Sequence, residues 1–293
     1  MSQSEIQVVG YIGLGLAGGP LAQNVAQKGY KTIVRDANKE CQEQFVKDNA
    51  SLPVESASDE PDAFKDADII ITMVPNGHIV RDILLGDKGI APHLKPVQKP
   101  TDRLPGDASA YIMVGGAQED IDRALPVLKT MSRWRFVMGP LGSGHVMKTF
   151  NNYVTAAGIA ALNDAFIVGR KMGLDPVQIT DVLNVGTGRN YGTAHSIRAE
   201  GLTRSYASGY GLGLLVKDLG INLDLCTSMG IDTTLAKHMH GLFKEAWDEP
   251  NVEKSADYTE CLKLWERKAG LELPTAPTSV KEEDEPRTFQ SPI

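Results

Sequence analysis

Three cysteines in 293 residues, at positions 41, 226 and 261, are too few and too far apart to frame a disulfide scaffold or a set of metal ligands. Reduced thiols in a reducing compartment are the simple reading. No apolar run approaches the length of a membrane span. Basic residues are outnumbered, 30 Lys and Arg against 37 Asp and Glu, for a net charge of −7. That balance argues against nucleic acid or an anionic membrane as the main partner, although a local basic pocket for a small acid stays open. The opening residues, MSQSEIQVVGYIG, show neither the basic region and apolar run of a signal peptide nor an Arg-rich presequence, so the expected location is cytoplasmic. What remains is an ordinary globular composition, 42% hydrophobic and 23% charged. The length suits two domains or one large one, able to bury roughly three quarters of the unfolded surface.

Along the first 75 residues, short apolar strands alternate with helical segments. QVVGYI, KTIVRD and DIIITMV read as strands, LPVE as a short third one, and Leu16 to Lys28 and Asn38 to Lys47 as helices, with a brief helix over Asp62 to Ala67. DIIITMV is apolar on both faces, as in a parallel strand covered from both sides. The β-α-β-α rhythm is the doubly wound pattern. His78 to Leu85 is a short helix, ASAYIMVGG a strand, Gln118 to Ser132 a helix and WRFVM another strand. From Gly142 to Gly270 the pattern is almost wholly helical, led by a long Ala-rich segment from His145 to Met172. The expected organisation is therefore a Rossmann-type α/β domain over residues 1–141, an all-α domain built on a long helix over 142–271, and a disordered tail over 272–293.

The turn G-Y-I-G-L-G-L-A-G-G-P puts Gly13, Gly15 and Gly18 in G-x-G-x-x-G register between a strand and a helix. Gly13 permits the tight turn, Gly15 lets a pyrophosphate approach the backbone, and Gly18 lets helix and strand pack closely. The helix amino terminus then offers free N–H groups to phosphate. Asp36 closes the next strand about twenty residues on, placed to accept both ribose hydroxyls. That favours NAD as cofactor, while Arg35 leaves room for the 2′-phosphate of NADP. The same glycines would also serve a plain tight turn, with Asp36 a solvated strand end. Val74, Pro75 and Asn76 follow the fourth strand, beside the cofactor in this layout, although Pro75 would equally just stop the strand.

GPLGSGHVMKTFNNYV carries Lys148 and Asn152 one helical turn apart. A lysine in the first turn of a helix, once desolvated, has its ammonium form disfavoured and can exchange a proton with a substrate hydroxyl. Asn152 would orient the lysine or the substrate. On its own, such a lysine is more often a surface charge, and the Lys217-Asp218 pair reads as an exposed helix position. His238 and His240 point to different faces of one helix, which argues against a metal site, and His145 serves packing as readily as a cleft.

The glycine turn, the GxGH-x-x-K-x-x-x-N segment and the later KD pair, in this order, resemble the β-hydroxyacid dehydrogenases, a family that includes 3-hydroxyisobutyrate dehydrogenase. The resemblance implies a Rossmann domain followed by a helical domain, an NAD(P) cofactor, a small hydroxy-acid substrate, and assembly as homodimers or homotetramers. It also implies a role for each matching residue. Lys148 is the general acid/base, Asn152 its partner at the substrate, and Lys217, supported by Asp218, lies near the nicotinamide. Gly13, Leu14, Gly15, Gly18, Asp36, Val74 and Pro75 hold the cofactor; no metal is implied. The related imine reductases commonly carry an acid or aromatic group where Lys148 stands.

One part of the family pattern is missing. Members carry a strand ending in D-S/T-S/T, a helix, and a strand ending in D-A-P-V-S-G-G that holds the substrate carboxylate. Here the chain runs from HLKP through VQKPTDRLPGD straight into ASAYIMVGG, with four prolines between Pro92 and Pro105. Strand, helix, strand and loops amount to roughly 35 residues. The stretch looks like a deletion, as a splice variant or an imperfect gene model would give, and Ser109 is the only hydroxyl residue near the junction strand. Either ASAYIMV pairs against the earlier strands, or the domain keeps exposed apolar edges. A nucleotide-binding pseudoenzyme is the alternative to an active dehydrogenase.

Overall fold

The computed structural model of the protein describes residues 6–95 and 111–277; Ser109, most of the proline-rich junction and the last sixteen tail residues lie outside them. The chain divides into two compact units, Met1–Lys148 and Thr149–Ile293.

In the first unit, β1 (Val8–Ile12), α1 (Gly18–Gln27), β2 (Lys31–Arg35), α2 (Lys39–Asp48), β3 (Val54–Ser56) and β4 (Ile69–Thr72) follow one another as the apolar alternation predicts. The four strands are parallel, in the order β3-β2-β1-β4. Asn38 caps α2, its side chain accepting from the N–H groups of Glu40 and Cys41, as a short amide does best outside a helix. Asp62 to Ala67 is a run of turns rather than the expected helix. Its bonds, Ala63 to Glu60, Lys65 to Asp62 and Ala67 to Phe64, all close over three residues, and six residues are too few to repay helix nucleation. α3 (Gly77–Leu85) follows, capped by Asn76 through Ile79 N–H, and a 3-10 turn at Ala91–His93.

β5 (Tyr111–Gly115), α4 (Gln118–Met131) and β6 (Trp134–Gly139) complete this unit. β5 pairs in parallel with β6, and the two form a sheet of their own. Among the described residues no ladder joins β4 to β5, so the direct pairing with the earlier strands that the sequence left open is not seen for Tyr111–Gly115. The break falls between β4 and β5, where the resemblance implies two further strands. Side-chain packing nevertheless holds the pieces together. Ile112 and Val114 of β5 share one buried cluster with Val9, Tyr11, Val34 and Ile71 of the larger sheet, and α4 packs on α1. The Arg123 guanidinium also donates to the carbonyl of Asp68, 3.3 Å away, at the start of β4. β6 is only partly covered: the consecutive residues Phe136 and Val137, which point to opposite faces of the strand, are both half exposed.

The second unit is helical. α5 (Ser143–Lys171) is the longest element, with 29 residues, and spans the division between the units. α6 (Pro176–Val185) starts at the Asp175 cap with proline at its first position, as its sequence requires. A π-helix over Gly192–Gly201, which no periodicity announces, leads to α7 (Leu212–Ser228) and α8 (Thr234–Trp247), then a 3-10 turn at Tyr258–Cys261 and α9 (Leu262–Ala269). Ile159 and Phe166 of α5, Ile197 of the π-helix, Leu212 of α7, Phe243 of α8 and Leu262 are wholly buried together. After the π-helix, Arg204 and Tyr206 take positive φ, and the Arg204 guanidinium grips Glu266 with two hydrogen bonds. No helix among the described residues is long and apolar enough to cross a membrane.

Candidate active site

The strand order sets the crevice of the first unit. β1 lies between β2 and β4, so the chain leaves β1 for β2 on one side and crosses back from β3 to β4 on the other, and a crevice opens at the carboxyl ends of the strands at that point. The glycine turn follows β1, Asp36 follows β2, and Val74 follows β4, so all three meet at this edge.

The glycines divide by what surrounds them. Gly13 has φ +100°, and a Cβ there would lie 2.2 Å from the carbonyl oxygen of Met73 and 3.4 Å from Val74 Cγ1. A Cβ on Gly18 would lie 2.1 Å from the carbonyl oxygen of Gly13. Both positions are filled by backbone, so the turn itself demands glycine. Gly15 differs, because a Cβ there would meet nothing within 4 Å. Folding does not require glycine at that position, and the bare backbone there leaves room for a ligand to come close. α1 opens with no side-chain cap and no acidic residue in its first turn; Pro20 has no N–H and the Gly19 N–H already bonds the Gly15 carbonyl, so what the turn offers an anion is chiefly its positive dipole end. Leu16, at the tip of the turn, is 99% exposed.

Asp36 is built into this turn. Its Oδ2 accepts the Leu14 N–H at 2.6 Å and its Oδ1 the Asn38 N–H at 2.8 Å, while its own N–H donates to Gln42 Oε1 at 2.9 Å. Gln42 is buried and in turn donates to Ser56 Oγ and the carbonyl of Ala57. A carboxylate oxygen has more than one lone pair, so ribose hydroxyls can be accepted alongside these bonds. Arg35 faces elsewhere. Its guanidinium donates to the carbonyls of Ser58 and Glu60 and stacks 4.7 Å over the Phe64 ring, and burial lowers its pKa. These residues fit a dinucleotide: a backbone cradle open at Gly15, an uncapped helix end and an oriented acid. Asn76, by contrast, is occupied as the cap of α3.

Lys148 lies in the second turn of α5, not the first. Gly142 takes φ +95° and the Val146 N–H already bonds its carbonyl, so the helix starts earlier than the sequence pattern indicates. A dipole effect fades within the first turn, so Lys148 lies beyond most of its reach.

Within the second unit, Asn152 and the Lys217-Asp218 pair come together. Asp218 is buried, with 7% of its side chain exposed. Its Oδ2 accepts the Asn152 amide at 2.7 Å and the Tyr210 hydroxyl at 2.7 Å, and Lys217 Nζ stands 3.0 Å from its Oδ1. The Asn152 amide also lies 3.3 Å from the Tyr210 oxygen. Lys217 is exposed, as its place after an apolar run indicates, whereas Asp218 beside it is buried, which that reading does not anticipate. Tyr210 was not legible at all, since one tyrosine before a helix has no spacing signature. Burial, and then the charge of Asp218, push its pKa up, so it serves as a hydrogen-bond donor. His238 and His240 lie on α8, and the described residues contain no group of three His, Cys, Asp or Glu able to hold a metal.

Two family models match: the NAD-binding domain of 6-phosphogluconate dehydrogenase over residues 8–99, and the NAD-binding region of NADP-dependent 3-hydroxyisobutyrate dehydrogenase over 142–265. The chain belongs to the β-hydroxyacid dehydrogenase family. Its first unit is a Rossmann-type NAD(P)-binding domain, and a helical domain follows. A probable mitochondrial 3-hydroxyisobutyrate dehydrogenase of Dictyostelium discoideum is 28% identical, covering 83% of this chain and 86% of its own. The 3-sulfolactaldehyde reductase of Escherichia coli is also 28% identical, over 81% of this chain and 89% of its own. The fold is shared with the solved 3-hydroxyisobutyrate dehydrogenase of Mycobacterium tuberculosis, at 22% identity and a TM-score of 0.77, over 88% of this chain and 99% of that one. The Dictyostelium alignment runs for 281 positions yet uses only 83% of a 293-residue chain, so several tens of family positions have no residue here. That agrees with the missing strand, helix and strand, and with the broken ladder between β4 and β5.

Proposed function

We propose that the protein is an NAD-dependent oxidoreductase that interconverts a small β-hydroxy acid and its oxo acid. Bound NAD supplies the hydride acceptor, or NADH the donor. The observation that carries this reading is Asp36 bonded into the glycine turn at the point where the strand order reverses. NAD is preferred over NADP because Arg35 is held by two carbonyls and a ring rather than free for a 2′-phosphate. Val74 and Pro75 line the crevice beside the turn.

In this reading Lys148 takes the hydroxyl proton of the substrate during oxidation and returns it during reduction. Asn152 orients the substrate oxygen or the lysine, and Lys217, fixed by Asp218, is a second cation at the reacting end. The substrate is a small acid, as the relatives' names indicate for those proteins. Assembly as a homodimer or homotetramer and a cytoplasmic location belong to the same proposal, with neither nucleic acid nor a membrane as partner.

A second reading has an observation of its own. The sequence lacks the motif that the resemblance gives for holding the substrate carboxylate, and the ladder is interrupted between β4 and β5. A non-catalytic NAD-binding protein, or a shortened product of a longer gene, would have these features. Steady-state assays with NAD and a panel of three- to five-carbon hydroxy acids separate the two. Saturable NADH production from at least one of them is expected. Cofactor-induced thermal stabilisation with no turnover across the panel would establish the second reading instead.

A further inference from the structure

Tyr210 has a more particular placement than filling the core requires. Its ring packs edge-to-face on Tyr258, with centroids 5.7 Å apart, and its carbonyl accepts the Tyr258 N–H at 2.9 Å. The next residue, Gly211, pairs with Asp257 in an isolated bridge, and the Leu212 N–H bonds the carbonyl of Ala256. The Asp257 side chain is held in turn by Ser208, Gly209 and Thr259. Tyr210 is thus anchored by the segment before α9, independently of α5 and of the body of α7. Its hydroxyl reaches from that anchor to the oxygen of Asp218 that also receives the Asn152 amide.

A carboxylate that takes two donors on one oxygen and an ammonium at the other has little rotational freedom. We infer that Tyr210 is a positioning residue, its hydroxyl fixing the carboxylate of Asp218 and through it the ammonium of Lys217, and fixing the amide of Asn152 both through Asp218 and by accepting from it directly. The inference rests on the roles proposed above for Asn152 and Lys217. Without the hydroxyl, Asp218 keeps its charge and burial but loses one of its fixed donors, and both partners gain alternative orientations. The two Tyr210 atoms that meet the network are the hydroxyl oxygen and its proton, so the ring alone cannot replace them.

Tyr210→Phe keeps the ring and its contact with Tyr258. It is expected to lower kcat about tenfold, the loss of one hydrogen bond to a buried charge, with the Kd for NAD unchanged. In protein labelled with 15N at asparagine, the Asn152 side-chain amide resonances are expected to move in this variant, while most other asparagines stay in place. An unchanged kcat together with an unmoved Asn152 amide would overturn the inference. Should Tyr210→Phe fail to fold, Asp218→Asn takes its place with the same expected fall in kcat, and wild-type kcat there counts against the inference. If the wild-type chain turns over no hydroxy acid, the catalytic reading fails on its own account, and the Asn152 amide in the Tyr210→Phe variant alone decides for or against Tyr210.

Discussion

Replacing Lys148 with alanine is expected to lower kcat by about a thousandfold and to leave the Kd for NAD essentially unchanged. The size follows from what a positioned general acid/base contributes, about 10²- to 10⁴-fold. Removing the hydroxyl proton from an alcohol while hydride departs needs an acceptor near the operating pH, and water at that position is a poor one. The unchanged Kd follows from the proposed division of roles: the glycine turn, the N-terminus of α1 and Asp36 would hold the cofactor, and Lys148 would meet the substrate hydroxyl instead. Stopped-flow measurement of NADH formation, with NAD binding followed separately by fluorescence, gives both quantities. Turnover at the wild-type rate in Lys148→Ala removes this lysine from the mechanism and leaves the cofactor site standing.

The second large effect divides the glycine turn into its two tasks. Gly18→Ala places a methyl group 2.1 Å from a backbone oxygen that cannot move without opening the turn. A loss of roughly 10 °C in Tm is expected, as overpacking against a fixed neighbour costs about 1–3 kcal/mol or more. Gly15→Ala meets nothing within 4 Å and is expected to leave Tm unchanged. Its methyl group instead occupies the approach to the backbone, and the Kd for NAD should rise at least about tenfold. A thermal melt and a cofactor titration on each variant distinguish the two. If Gly15→Ala bound NAD as the wild type does, the open side of the turn would not be the cofactor side.

The legible parts of this molecule are those governed by local chemistry. Strand and helix order in the first unit follows from apolar alternation, Asn38 caps because short amides do, and Asp36 is identified by its distance from the glycines. The absence of two family motifs correctly locates the interruption between β4 and β5. It does not reveal that Ile112 and Val114 still share a core with β1 through α1 and α4, because packing across an interrupted ladder leaves no mark in spacing. α5 starts at Ser143, two residues before the expected start at His145, after a positive φ at Gly142, and this moves Lys148 into the second turn. Tyr210 and Asp218 meet only because a loop anchored at Asp257 folds back, a contact set by tertiary structure. The π-helix over Gly192–Gly201 has no sequence pattern at all.

Calorimetric titration of the intact protein with NAD, and then NADP, tests the central claim most directly. Saturation at one site per chain is predicted, with the tighter binding for NAD. Failure of either nucleotide to bind, in a preparation whose circular dichroism shows it folded, would contradict the account at its root.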